Sequence, residues 1–122
     1  NHLQNNVIFT GVRQDVPALL SAADAMLFPS LYEGLPLTLI EAQSSGIPIL
    51  ASDQVSKECG LTDLISFLPI HDSNIWVTEM ERIPKNTQRK LYQDKMLNTD
   101  FSIKKSIRIL EKLYDLNEEE IK

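Results

Sequence analysis

Four short apolar runs punctuate the first 70 residues of the chain, and each is bounded by a residue that breaks a strand. Val7–Thr10 stops at Gly11, and Ala25–Phe28 stops at Pro29. Ile47–Ala51 carries Pro48 near its start, and Leu64–Leu68 stops at Pro69. Runs of this length, rich in β-branched and aromatic residues, read as short buried strands. Proline is accepted at the beginning of a strand, where no ladder bond is lost. The segments between them are helical. Val16, Leu19, Leu20 and Ala23 form a stripe, with Asp15 placed to cap it and Pro17 in its first turn. Pro36 suits a first helical position, Leu37, Ile40, Glu41 and Ser44 fall on neighbouring turns, and Gly46 is a natural stop. Val55–Cys59 reads as a single turn after the polar Ser52-Asp53-Gln54.

Beyond Asp72 the period is helical throughout. Ser73–Arg82 presents Ile75, Trp76, Met80 and Ile83 on one side before Pro84 breaks it, and Trp76 reads as core. The segment 86–97 carries Leu91, Met96 and Leu97. Asp100 is expected to cap a last helix with Ile103, Ile107, Leu110 and Tyr114 on one face, ending in a frayed acidic Glu118–Glu120. Short strands alternating with helices predict an α/β fold with a parallel sheet of about four strands and right-handed crossovers. A run of helices then covers one side.

Composition changes this picture little. At 122 residues the chain is at most one domain, and a chain of that size buries roughly two-thirds of its unfolded surface. Its apolar fraction of 43% and charged fraction of 24% are ordinary for a globular protein. A net charge of -5 argues against nucleic acid as a partner. Residues 82–112 are a basic exception, with nine cations against Asp94, Asp100 and Glu111. Cys59 stands alone, so no internal disulfide forms and a reducing compartment is expected. It reads as a small, partly buried side chain rather than a nucleophile. His2 and His71 belong to no cluster with metal-ligand spacing, and no metal or cofactor is expected. No apolar run approaches the ~20 residues needed to span a bilayer, and no signal peptide opens the chain. It starts at Asn1, without Met and close to a strand, as a piece of something longer would.

Candidate chemistry is concentrated between Phe28 and Ala42. In an open parallel sheet, ligands bind at the carboxyl ends of strands, where this loop sits. The start of the following helix offers free N–H groups and a partial positive charge. Pro36 supplies no N–H, so the donors are the amides of Leu37 and Thr38, with the Thr38 hydroxyl beside them. Gly34 lets a ligand approach the backbone. Glu33 lies before the helix and Glu41 about one and a half turns inside it. Carboxylates are poor phosphate ligands but good acceptors for sugar hydroxyls. The arrangement fits a diphosphate flanked by two sugars, as in a nucleotide-sugar. A pair of glutamates at this spacing is unspecific by itself; the full string carries the specificity.

Glu33-Gly34-Leu35-Pro36 through Glu41-Ala42, after Phe28-Pro29-Ser30, resembles the E-x7-E motif of family 4 retaining glycosyltransferases, which have the GT-B fold. The strand-then-glycine Val7–Gly11, Asp15-Val16, Ala22–Ala25, Gly46–Ser52 and Glu58 are similar to further segments of that family, strongly over residues 7–70 and weakly in the tail near Tyr114. Leu31–Pro36 and Asp53–Glu58 look closest to bacterial exopolysaccharide and capsular polysaccharide transferases. The resemblance implies a single partial domain over residues 1–122. Residues 7–70 would be the Rossmann-like donor-binding core and residues 72–117 the C-terminal helices of a GT-B half.

It further implies that Glu33 faces the donor sugar and the reacting centre as the catalytic residue, and that Glu41 binds the ribose. Gly34, Leu35, Leu37 and Thr38 would complete the donor site, without metal. Pro36 stands where many relatives have glycine. The basic pair that holds the departing phosphates in such enzymes has no counterpart; neither Arg13 nor Lys57 sits in a matching motif. The acceptor-binding N-terminal domain and the first two strands of the nucleotide-binding domain are likewise unmatched. The strand at Val7 should therefore lack its neighbours, and an open sheet edge invites a homodimer.

Three functions remain open: the donor-binding part of a transferase building polysaccharide or a lipid-linked glycan, a non-catalytic nucleotide-sugar-binding module, and a truncated inactive fragment. The expected location is cytoplasmic. For the basic C-terminal helices, packing on the sheet is preferred over attachment to the inner face of the plasma membrane.

Overall fold

The computed structural model describes residues 3–85 and 88–120, the side chains of 115–120 excepted. Three of the four expected strands form. β1 (Met26–Phe28), β2 (Ile49–Ser52) and β3 (Ile65–Leu68) make one sheet in the order β1-β2-β3. Both pairings are parallel, with Leu27 opposite Leu50 and Leu50 opposite Ser66. The connections run through α1 (Val16–Ala22) before β1, α2 (Leu37–Ser44) between β1 and β2, and a 3₁₀ turn at Lys57–Cys59 before β3. Then follow α3 (Ser73–Glu81), α4 (Arg89–Leu97) and α5 (Ile103–Glu120). The expected helix start at Asn86 lies outside the described residues, as does His2.

The fourth expected strand, Val7–Thr10, is a correction. It has no ladder partner, and Ile8 and Phe9 are 85% and 95% exposed. Strand propensity forms no strand without a neighbour to accept its hydrogen bonds. The free edge of β1 does not take it up, because β1 pairs only with β2.

Alternation along the strands sorts the core. Met26, Phe28, Ile49, Ala51, Ile65 and Phe67 point to the face covered by α1 and α2, where Leu20, Leu39, Ala42, Val55 and Cys59 complete the cluster. Leu50 points to the other face, against which α3 packs. Both faces are therefore covered, and β2, the central strand, is wholly buried, as parallel sheets require. Asp72 caps α3, its carboxylate accepting from the Asn74 and Ile75 amides at 3.0 and 3.3 Å. Trp76 is half-buried, and its indole donates to Pro69 O at 2.9 Å.

Two expected caps are replaced by other contacts. Asp15 makes no side-chain cap to α1, because its carboxylate is taken by the Arg13 guanidinium, Nε lying 2.7 Å away. That pairing holds the Asp15 carboxyl below, and the Arg13 guanidinium above, their ordinary values. The other end of α1 is secured from α4. Arg89 donates to the carbonyls of Ser21 (2.8 Å) and Ala23 (2.6 Å), and more weakly to Leu20, satisfying carbonyls that helix ends leave free. Asp100 does not cap α5 but pairs with Lys105, and the helix starts at Ile103.

The apolar face of α5 also departs from expectation. Ile103, Ile107, Leu110 and Tyr114 do share a side, but they remain between 48% and 76% exposed. The helix does not pack on the sheet, because α1 and α2 already occupy one face and α3 the other. Of the C-terminal helices expected to pack on the sheet, α3 does so and α5 does not. No helix among the described residues is long and apolar enough to cross a membrane.

Candidate functional site

The loop 29–36 leaves the carboxyl end of β1 and delivers the chain to α2. Pro36 occupies the cap position rather than the first helical one, with an extended backbone (φ -75°, ψ 100°), and the helix begins at Leu37. Proline restricts the residue before it to extended geometry and presets its own φ. Its ring is buried while Leu35 and Leu37 on either side are exposed. Pro36 thus anchors the loop, and its carbonyl accepts from the Leu39 amide at 3.0 Å. The amides of Leu37 and Thr38 have no backbone acceptor among the described residues. Those two groups are the orphan donors that every helix start leaves.

Geometry on α2 separates two sides. Leu39, Ile40, Ala42 and Gln43 are buried, whereas Leu37, Thr38 and Glu41 are exposed. Leu37, Ile40, Glu41 and Ser44 do fall on neighbouring turns, and of these only Ile40 is buried. Residues three and four apart are neighbours on a helix surface, so Glu41 stands beside both Leu37 and Thr38. At 1.5 Å per residue its Cα lies about 6 Å along the axis from that of Leu37. The exposed side of the first turn therefore carries two free amides, a hydroxyl and a carboxylate.

Glu33 completes the surface from the loop. Its backbone forms an isolated parallel bridge with Val55, which extends the β1–β2 pairing into the loops beyond both strands. Its carboxylate is exposed and accepts a weak hydrogen bond from Ser30 Oγ at 3.3 Å. Gly34 has no positive φ, and a Cβ there would meet nothing within 4 Å. Conformation does not demand glycine at this point, and the space in front of it is open. All the residues assigned from sequence, Glu33, Gly34, Leu35, Leu37, Thr38 and Glu41, thus lie exposed on the rim at the carboxyl end of the sheet.

The residues of this rim stand open to solvent. A cavity of about 420 Å³ opens beneath Leu50, Ser66, Ile83 and Tyr92, toward the amino ends of the strands. Another of about 580 Å³ lies between α2, α4 and the start of α5. Neither includes any residue from Glu33 to Thr38, nor Glu41. Arg13 is engaged by Asp15. Among the described residues no three His, Cys, Asp or Glu side chains gather into a metal-binding group.

The residue that sequence reasoning missed is Gln43. It is fully buried on the face opposite Glu41 and ties α2 to the segment after the 3₁₀ turn. The signal available was a polar side chain four residues after Leu39, among positions that are otherwise apolar or small.

An open parallel sheet covered by helices on both faces, with an exposed helix start and two carboxylates at its carboxyl end, defines an α/β domain of Rossmann-like type. Comparison with known proteins places it further. Residues 1–86 match the family described as Glycosyl transferases group 1, and the chain belongs to that family. It is 29% identical over 119 residues to the UDP-Gal:alpha-D-GlcNAc-diphosphoundecaprenol alpha-1,3-galactosyltransferase of Escherichia coli, covering 93% of this chain and 30% of that protein. It is 27% identical over 123 residues to EpsF of Bacillus subtilis (strain 168), provisionally described as a glycosyltransferase, covering 97% of this chain and 32% of that one. A shorter stretch of 43 residues is 42% identical to the O-antigen chain mannosyltransferase B of Escherichia coli, covering 35% of this chain and 11% of that protein. The chain thus spans about a third of the length of the first two relatives.

Proposed function

We propose that the rim around the start of α2 binds the nucleotide-sugar donor of a retaining glycosyltransferase that extends a polysaccharide or a lipid-linked glycan. Glu41 accepts from the ribose hydroxyls. The Leu37 and Thr38 amides and the Thr38 hydroxyl hold the diphosphate, where helix-end donors and dipole favour negative charge. Glu33 faces the donor sugar as the residue nearest the reacting centre, and Gly34 and Leu35 shape the approach. No metal enters this reading. The observation that carries it is the pair of free amides at Leu37 and Thr38, exposed and bracketed by two exposed carboxylates in a chain of the glycosyltransferase family. The named activities of the relatives, a galactosyltransferase on a diphosphoundecaprenol-linked sugar and an O-antigen mannosyltransferase, support the acceptor class.

Titration calorimetry with UDP, GDP, ADP and dTDP in turn tests it. One nucleotide binds, and Glu41→Ala weakens that binding by about tenfold or more, the loss expected for hydrogen bonds to a charged acceptor. Unchanged affinity in that variant would overturn the assignment. The same preparation is expected to bind without transferring sugar. Phosphate departure needs fixed positive charge in a site shielded from water, and this rim is open.

A further inference from the structure

A carboxamide in a protein core is costly unless its capacity for hydrogen bonds is used. Gln43 is 0% exposed and uses all of it. Its Nε2 donates to Cys59 O at 2.7 Å and to Leu39 O at 3.1 Å. Its Oε1 accepts from the Thr62 amide (2.9 Å), the Leu61 amide (3.0 Å) and the Thr62 hydroxyl (3.0 Å). The amide orientation is fixed by these partners: a flip would set its NH₂ against two backbone N–H groups and its oxygen against two carbonyls.

The consequence concerns the opposite side of α2. At 3.6 residues per turn, Glu41 lies about 160° around the axis from Gln43. The helix is eight residues long and begins without a side-chain cap, so its own propensity does little to hold it. Its roll about its axis is set by tertiary contacts, and those of Gln43 are the directional ones. They also reach Glu33, because the segment that Gln43 grips continues back through the 3₁₀ turn to Val55, the bridge partner of Glu33.

We propose that Gln43 is a positioning residue for the donor site, locking the roll of α2 onto residues 59–62 and so aiming the Glu41 carboxylate. This rests on the donor-site reading above. Gln43→Met keeps the volume and removes every hydrogen bond of the carboxamide. It weakens binding of the nucleoside diphosphate found above by about tenfold, within the range of coupling between neighbouring groups. In a Glu41→Ala background the same change adds nothing, because the group that it aims is gone. Thr62→Val removes one donor to Oε1 and gives a smaller loss in the same direction, so the test survives if Gln43→Met fails to fold. Leu20→Ala, a core truncation in α1, lowers the melting temperature and leaves the affinity of the folded chain unchanged.

The outcomes separate two failures. Normal binding by Glu41→Ala overturns the donor site, and the proposal falls with it. If Glu41→Ala binds weakly while Gln43→Met and Thr62→Val bind normally, the positioning role alone is overturned. Additive losses in the double variant, or an equal loss in Leu20→Ala, also overturn it.

Discussion

Two residues away from the rim determine how tightly the domain is put together. Gly46 ends α2 with φ +70°, and a Cβ there would lie 2.6 Å from the Arg89 Cα. The obstruction is backbone, which cannot swing aside as a side-chain tip can. Gly46→Ala therefore combines left-handed strain with overpacking and is expected to cost about 2–5 kcal/mol in chemical denaturation. It should also loosen α1, since Arg89 holds the end of that helix; a variant as stable as the parent would refute the close fit. Cys59 is the second case. Its thiol is buried and donates to Ser56 O at 2.9 Å, and burial pushes its pKa up. A raised folded-state value means that the stability it contributes is complete below the ordinary thiol pKa and is lost as pH rises above it. The melting temperature should accordingly fall above about pH 8.5. Iodoacetamide should label the native thiol more than about tenfold slower than in urea. Rapid native labelling would show the thiol accessible.

At the scale of elements, what could be read in advance was whatever depends on local pattern. β1 and β3 lie within their apolar runs, each stopped by a proline, and β2 overruns its run by one residue, Ser52. α3 ends within one residue of its expected limit for a similar reason, with Asp72 in front and Pro84 behind. Illegible parts depended on a partner. Val7–Thr10 has the composition of a strand but nothing to pair with, and α5 has the pattern of a packed helix but no free sheet face to cover. Apolar periodicity reports the capacity to be buried, while burial itself requires an opposing surface. The site shows the same division. The assigned residues between Glu33 and Glu41 reached the same rim because loop and helix keep them together. Gln43 escaped notice because its role lies in contacts with residues 59–62, which sequence spacing does not reveal.

For the molecule as a whole, the unsatisfied features gather in the N-terminal stretch, on β1 and on α5. β1 has one unpaired edge, Leu27 on it is half exposed, and Ile8, Phe9 and Val12 stand in solvent. An open edge presents a row of unpaired donors and acceptors, and proteins that leave one uncovered tend to associate through it. The matching segment is present in the same chain: Val7–Thr10 is β-branched and aromatic, exposed, and without a ladder partner among the described residues. One copy can therefore lend this segment to the β1 edge of another, a reciprocal exchange of the kind that makes two-fold dimers at low cost. We expect sedimentation velocity to show concentration-dependent self-association in the micromolar range, typical of interfaces of modest size. A charge inside the lent segment, as in Ile8→Lys or Phe9→Lys, should shift the chain to monomer without lowering its melting temperature at low concentration, because neither side chain contributes to the core. Asn1 and His2 precede the segment and need not change. A chain that stays monomeric at high concentration with a single sharp transition would show that the edge is protected by its own sequence, and that the exposed apolar residues are tolerated rather than complementary.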